Sequence, residues 1–471
     1  MKSEVKFGLI LLALAVSLSA CQTKDDGNPP TTTTHKWGWI SGGNTVNQVG
    51  IYGTQGTAAA ANIPGAREQA TSWRDASGKF WLFGGYGYDS AGYRGHINDL
   101  WKYDPVTGLW TWVSGSNLVN RPGVYGTQGV PAPTNVPGAR LGAISWVDSL
   151  GRFWIYGGLG FAEGGAFGDL SDLWKFDPAT LEWAWVSGLP VVNTSGVYGT
   201  KGTPDAANIP GARTGAVSWA DAQDALWLFG GSGYDSAGAK GWLNDMWKYD
   251  TATGQWAWIS GADTEGQSGV YGTWETPDPA NIPGGRYEAV SWTGPNGIFW
   301  MFGGDGLDKN GDRGDLGDLW KYDPATNQWA WFQGKDLRNV AGTYGTQDIA
   351  SAANNPGGRL GAVGWMDSDG RLWLSGGVGR DSAAARRWLN DIWIYDPSTE
   401  QWTWVSGSNT GSAPGVYGTK GTAATTNFAG ARCNAVSWID AQDKIWHFGG
   451  YGLDSAYAGG WLNDLWNFVL E

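Results

Sequence analysis

Histidine is almost missing from this chain of 471 residues: there are three, His35, His96 and His447, and no two share a motif. A histidine-ligated metal centre therefore has no basis in the sequence. Basic runs are absent as well. Lysine and arginine number 31 against 44 aspartates and glutamates, a formal charge of −13. Such a chain is unsuited to nucleic acid or to an anionic lipid surface as partner. Long apolar runs are lacking beyond residues 9–18, which follow Lys2 and Lys6 in the layout of a secretory signal and are too short to span a membrane. Helical periodicity is lacking too, because the apolar pattern is short and alternating throughout.

Tryptophan and repetition are abundant instead. A Trp-x-Trp motif recurs at Trp37, Trp110, Trp183, Trp256, Trp329 and Trp402, always 73 residues apart. The triplet ending at Arg67, the Trp73 series, the Gly84-Gly85 pair and the Asp99-x-Trp101 series keep the same step. A fixed period is the signature of a repeat architecture. In the first copy the runs 67–73, 80–83, 99–103 and 110–114 have the length and composition of strands. Asp75-Ala76-Ser77-Gly78 and Asp104-Pro105-Val106-Thr107-Gly108 carry the chemistry of tight turns. Each copy thus predicts one four-stranded antiparallel sheet, and six of them predict an all-β, six-bladed propeller over residues 37–471. The pattern opens on a lone fourth strand at 37–42 and stops after a third at 464–469. The N-terminal strand is therefore expected to complete the last blade and remove an open edge.

Gly84-Gly85 after the second strand, Tyr103-Asp104-Pro105 closing the third and Trp110 in the fourth resemble the kelch motif, in six copies over residues 37–471. Kelch repeats run to about 50 residues, so roughly twenty extra are expected in each inter-blade loop, as between Gly123 and Gly138. The N-terminus carries a second resemblance. Leu18-Ser19-Ala20-Cys21 is similar to a bacterial lipobox, which implies removal of residues 1–20 and a diacylated Cys21. Gln22 after that cysteine implies an outer-membrane lipoprotein, periplasmic or surface-exposed, and Asp25-Asp26 is similar to short surface-export signals. The membrane would then be met only through the lipid, Cys433 would be the sole thiol, and no intrachain disulfide could form. Residues 21–36, with four consecutive threonines, are expected to form a flexible tether.

Five columns account for 30 of the 34 tryptophans and are expected to fill the wedges between blades. The remaining Trp242, Trp388, Trp461 and Trp274 are the ligand-binding candidates. The first three share a position held elsewhere by His96, Asp169 and Asp315, and His96 joins the candidates; Trp274 lies alone in an inter-blade loop. Strand direction puts the inter-blade loops and the loops between second and third strands on one face. That face is the expected working one, where tryptophans stack on sugars or anchor a protein partner unless they tuck against their own blades.

Arg67, Arg140, Arg213, Arg286, Arg359 and Arg432 open the inner strands at the mouth of the axial channel. They either take an anion or glycan carboxylate, or pair one to one with Asp99, Asp172, Asp245, Asp318, Asp391 and Asp464; the matched count favours pairing. Asp308, Asn310 and Asp312 space oxygen ligands as calcium loops do, without the closing glutamate, so calcium is the one cofactor suggested. Kelch propellers include a copper-radical oxidase and a sialic-acid mutarotase. The oxidase's paired histidines and Tyr–Cys crosslink have no counterpart here, whereas a mutarotase-like site needs a carboxylate and cations, for which Glu68, Glu288 and the arginines could serve. The expectation is a lipid-anchored envelope module binding a glycan or protein, with an axial sugar enzyme or a purely structural surface protein as alternatives.

Overall fold

The computed structural model describes residues 34–470. The signal segment, Cys21 and the tether as far as residue 33 lie outside the described residues. Strand β1 spans His35–Ser41 and so begins inside the segment expected as tether. The first complete blade holds β2 (Arg67–Glu68), β3 (Thr71–Arg74), β4 (Phe80–Phe83), β5 (Tyr86–Tyr88), β6 (Arg94–His96), β7 (Leu100–Asp104) and β8 (Leu109–Ser114). Its main sheet has the antiparallel order β3-β4-β7-β8, from the axis outwards. Because each sheet is sandwiched between two neighbours, β4 does not alternate: Phe80, Trp81, Leu82 and Phe83 are all buried.

Each blade has a second tier. β2, β5 and β6 form a separate three-stranded sheet above the main one. The tiers divide at Gly84-Gly85, whose φ values are +68° and +97°. A Cβ on Gly85 would lie 2.7 Å from the carbonyl oxygen of Glu68, so both the backbone and the space require glycine. No helix follows the pair, so it serves as a hinge between tiers.

Six such sheets stand side by side. The inner strands Thr71–Arg74, Ile144–Val147, Val217–Ala220, Val290–Thr293, Val363–Met366 and Val436–Ile439 touch in sequence, and the last touches the first. The sixth sheet is completed as expected, by β1 pairing antiparallel with Leu465–Leu470 in the register Trp37↔Phe468 and Trp39↔Trp466. Tryptophans of the Trp73 column stack between blades: Trp219 lies 5.2 Å from Phe299 at 6°, and Trp438 lies 5.1 Å from Phe80 at 11° across the closing junction.

The extra residues of each repeat depart from expectation. They do not stand as loops on the working face. The first few pack beside the β5–β6 hairpin, where the amide of Asn120 donates to the carbonyl of His96 at 2.7 Å. The rest fold back as a hairpin (Val124↔Val136) that bridges to the outermost strand of the next blade (Ala132↔Trp183), a pattern repeated round the ring. Asn135 fixes it by donating to the carbonyls of Val130 (3.0 Å) and Trp183 (3.1 Å). The physical reason is the outer edge, whose unpaired backbone groups would otherwise face solvent.

Candidate ligand-binding face

The arginines do not line a channel mouth. Each is buried in its own blade and consumed by the repeat. Arg67 donates to both carboxylate oxygens of Asp99 (2.5 and 2.8 Å) and to the carbonyls of Gly65 and Gly84 (each 3.0 Å). The same Asp99 accepts from the Tyr52 hydroxyl (2.5 Å) and the Trp101 indole (2.7 Å). Arg140, Arg213, Arg286, Arg359 and Arg432 pair identically with Asp172, Asp245, Asp318, Asp391 and Asp464. A buried charge is tolerated when its hydrogen bonds are all met, and here they tie tier to tier. The six arginines are thus paired one to one with the six aspartates, the alternative that the matched count favours, and they form no anion site at a channel mouth.

The upper tiers place six residues in a rim: His96, Asp169, Trp242, Asp315, Trp388 and Trp461. Most are capped by the residue two positions before the rim residue of the following blade. The Arg94 guanidinium lies 4.7 Å from the Trp461 ring centre and Arg313 lies 3.8 Å from that of Trp242. Phe167 packs on His96 at 4.9 Å, Lys240 pairs with Asp169 at 2.5 Å, and Arg386 with Asp315 at 2.9 Å. The half-buried Trp242 and Trp461 therefore neither tuck into their blades nor stand free. His96 is buried, and desolvation pushes its imidazole down to about 4, so it is neutral at physiological pH.

Along one side the rim is a continuous aromatic arc across four blades. Its successive centroid spacings are 5.5 Å (Trp388–Tyr451), 4.8 Å (Tyr451–Trp461), 5.8 Å (Trp461–Tyr86), 5.0 Å (Tyr86–His96) and 4.9 Å (His96–Phe167). Tyr93 and Tyr457 at the hairpin tips are 69% and 66% exposed.

Below the rim a ring of backbone constricts the axis. Gln69, Gly142, Gly215, Glu288, Gly361 and Asn434 all adopt left-handed φ, between +51° and +65°. Each donates its amide to the carbonyl of the preceding blade's counterpart at 2.7–3.0 Å, and the circuit closes from Gln69 to Asn434. The Gln69 side-chain amide donates across the axis to Glu288. Glu68 accepts from the Trp461 indole (3.0 Å) and the Asn434 amide (3.4 Å). Desolvation first, then the charge of Glu68, pushes Glu288 up to about 7; burial raises Glu68 as well. Glu288 could exchange a proton near neutrality, but the arginines expected to assist it are spent in ion pairs.

Two other candidates, Trp274 and the Asp308 loop, do not join the rim. Trp274 is in an outer hairpin, 40% exposed, 4.6 Å from Trp331 and bonded to Glu275. The Asp308 loop is corrected from calcium site to structural turn. One Asp308 oxygen accepts from the amides of Asn310 (2.9 Å) and Asp312 (3.0 Å), the other from Arg338 (3.2 Å), and Asp89 makes the same turn in the first blade. Among the described residues no group of three or more His, Cys, Asp or Glu is placed to hold a metal. Cys433 is buried, and desolvation raises its thiol well above the usual range, against a nucleophilic role.

Sequence reading missed the capping residues Arg94, Phe167, Lys240, Arg313 and Arg386, and also Gln69 and Asn434. The signal was present, since these columns vary as much as the tryptophan position does. The model for the KLHDC2/KLHL20/DRC7 Kelch-repeats domain matches residues 127–343, and that for the Kelch motif matches residues 368–406. No curated protein matches the chain in sequence.

Proposed function

This chain is a kelch-repeat β-propeller, and on that premise we propose that it is a binding module whose β5–β6 hairpin face takes a protein partner at a bacterial envelope. The observation that carries this reading is the aromatic arc from Trp388 to Phe167, flanked by the exposed Tyr93 and Tyr457. Rigid aromatic rings supply large contact area at low entropic cost, and interface hot spots are rich in them. The opposite face offers short turns. Lipid on Cys21, followed by the segment 22–34, would hold the ring at the outer membrane while leaving the hairpin face free to search.

Photo-crosslinking of the full chain on intact cells tests the reading. Tyr93→Glu with Tyr457→Glu should abolish capture of a partner, whereas Val106→Glu, in a turn of the opposite face and 92% exposed, should leave it intact. Equal capture by all three forms would sink the assignment of the face. A glycan array run in parallel separates a carbohydrate ligand from a protein one. Alkyne-palmitate labelling lost in Cys21→Ala would establish the anchor; labelling that persists would refute it.

One observation favours a second reading, a sugar enzyme: Glu288, pushed up to about 7 at the axis, with Glu68 also raised by burial. Accelerated anomerisation of a free sugar, followed by proton NMR and lost in Glu288→Gln, would support it. No acceleration would remove it.

A further inference from the structure

Two junctions of the rim present the same aromatic pair. Between the last blade and the first, Trp461 and Tyr86 lie 5.8 Å apart at 57°, and the Arg94 guanidinium sits over both, 4.7 Å and 5.9 Å from their centres. One junction earlier, Trp388 and Tyr451 lie 5.5 Å apart at 60°. There the residue equivalent to Arg94 is Gly459. Its strand, Gly459–Trp461, pairs with Tyr451–Leu453 just as β6 pairs with β5. Gly459 is exposed, and its φ lies outside the left-handed region, so the backbone does not demand glycine. A Cβ built there would meet only the Trp388 ring, at 3.5 and 3.7 Å, which is ordinary van der Waals contact. Five of the six rim residues are capped by the side chain in the Arg94 column of the next blade; at Trp388 that column holds Gly459 and gives no cap.

The geometry points to the Trp388–Tyr451 pair as the seat for an arginine side chain of a protein partner, placed as Arg94 is placed on Trp461 and Tyr86. The inference rests on the hairpin face being the binding face and names the group that it takes. Both rim tryptophans that are covered, Trp461 and Trp242, are covered by guanidinium. A planar, weakly hydrated cation gains both dispersion and the attraction of the ring quadrupole. Arg386 and Arg380 share the carboxylate of Asp315, at 2.9 and 3.3 Å, and the stem of Arg387 runs against Gly411 in the adjoining loop. The net charge of −13 favours approach of a basic partner.

The full chain, labelled with 5-fluorotryptophan, is titrated with an acetylated and amidated Gly-Arg-Gly peptide and with its citrulline counterpart, the neutral isostere. The fluorine signal of Trp388, identified by its loss in Trp388→Phe, should move with the arginine peptide and respond about tenfold more weakly to citrulline. Gly459→Arg, which rebuilds the Arg94 arrangement within the chain, should abolish the response while the other tryptophan signals stay in place. Equal response to citrulline, undiminished binding in Gly459→Arg, or a silent Trp388 signal would overturn the seat. The crosslinking experiment reads the face separately. Capture that survives Gly459→Arg but fails with the hairpin-tip variants keeps the face and rejects the seat; capture indifferent to the hairpin tips rejects the face itself.

Discussion

At the scale of single residues, the informative positions are those where one copy breaks its column. His447 stands where the other blades have Leu82, Ile155, Leu228, Met301 and Leu374. It lies between Trp37 (5.3 Å) and Trp365 (5.4 Å), its Nε2 without a hydrogen-bond partner among the described residues. Burial, aided by Arg432, pushes it down to about 3. The folded state keeps it neutral while the unfolded chain protonates below about 6.5, so its share of stability is full above that pH and is lost as pH falls towards 3. His447→Leu should therefore gain most in acid, about 2 kcal/mol at pH 5. Denaturant titrations at pH 5 and 7.5 would check this, and an equal effect at both would contradict it. Glu288 runs the other way. Its folded value of about 7 lies above the ordinary carboxyl value, so stability falls as pH rises from about 4.5 to 7 and stays reduced above. Glu288→Gln should raise the melting temperature at pH 8 and leave it little changed at pH 4.5. The period alone made such breaks visible, because His447 and Trp388 differ from columns that can be read off the chain. What Trp388 faces was hidden: capping pairs such as Arg386 and Asp315 are 71 residues apart, one blade to the next, and no local pattern announces them.

At the scale of elements, the outer hairpin is the feature that sequence placed wrongly. Its composition reads as loop, with Gly, Pro, Thr and Asn in place of strand residues, yet its backbone bridges to the edge strand in blade after blade. The cue was Asn62, Asn135, Asn208, Asn281, Asn354 and Asn427, one per repeat and all buried. Each donates to the carbonyl of a Trp-x-Trp tryptophan, from Asn62 to Trp110 (3.1 Å) through Asn427 to Trp37 (3.0 Å). A buried asparagine repeated among glycines signals a bonded turn, but its acceptor is a backbone carbonyl that the sequence cannot display. Asn208→Ala should cost about 1–3 kcal/mol, since it leaves the carbonyls of Thr203 and Trp256 without their donor in a buried setting. The loss should appear in hydrogen exchange as faster opening of the Trp256 strand, Gln255–Ser260, before the rest of that blade. Uniform protection in the variant would mean that the hairpin does not guard the edge.

At the scale of the molecule, the ring is held by interactions that belong to no single blade. The main sheets pack wedge on wedge through the Trp73 column, and the axial circuit of six amides is complete only when all six copies are in place. The sixth blade borrows its outer strand from the N-terminus, and a neighbouring hairpin then covers that strand, Ala424 pairing with Trp37. One short segment thus satisfies two edges. Removing residues 35–43 would strip the partner from Leu465–Leu470, expose the apolar flank built by Trp466 and Phe468, and leave Ala423-Ala424 unpaired. An open repeat array loses cooperativity, because each blade then relies on its neighbours alone. The deletion is expected to lower the melting temperature of the whole ring, broaden the transition and promote association through the bared strand. Supplying residues 35–43 as a separate peptide should restore the transition in part. Calorimetry with and without that peptide decides the matter: an unchanged melting temperature in the deletion would show that the ring does not depend on its clasp.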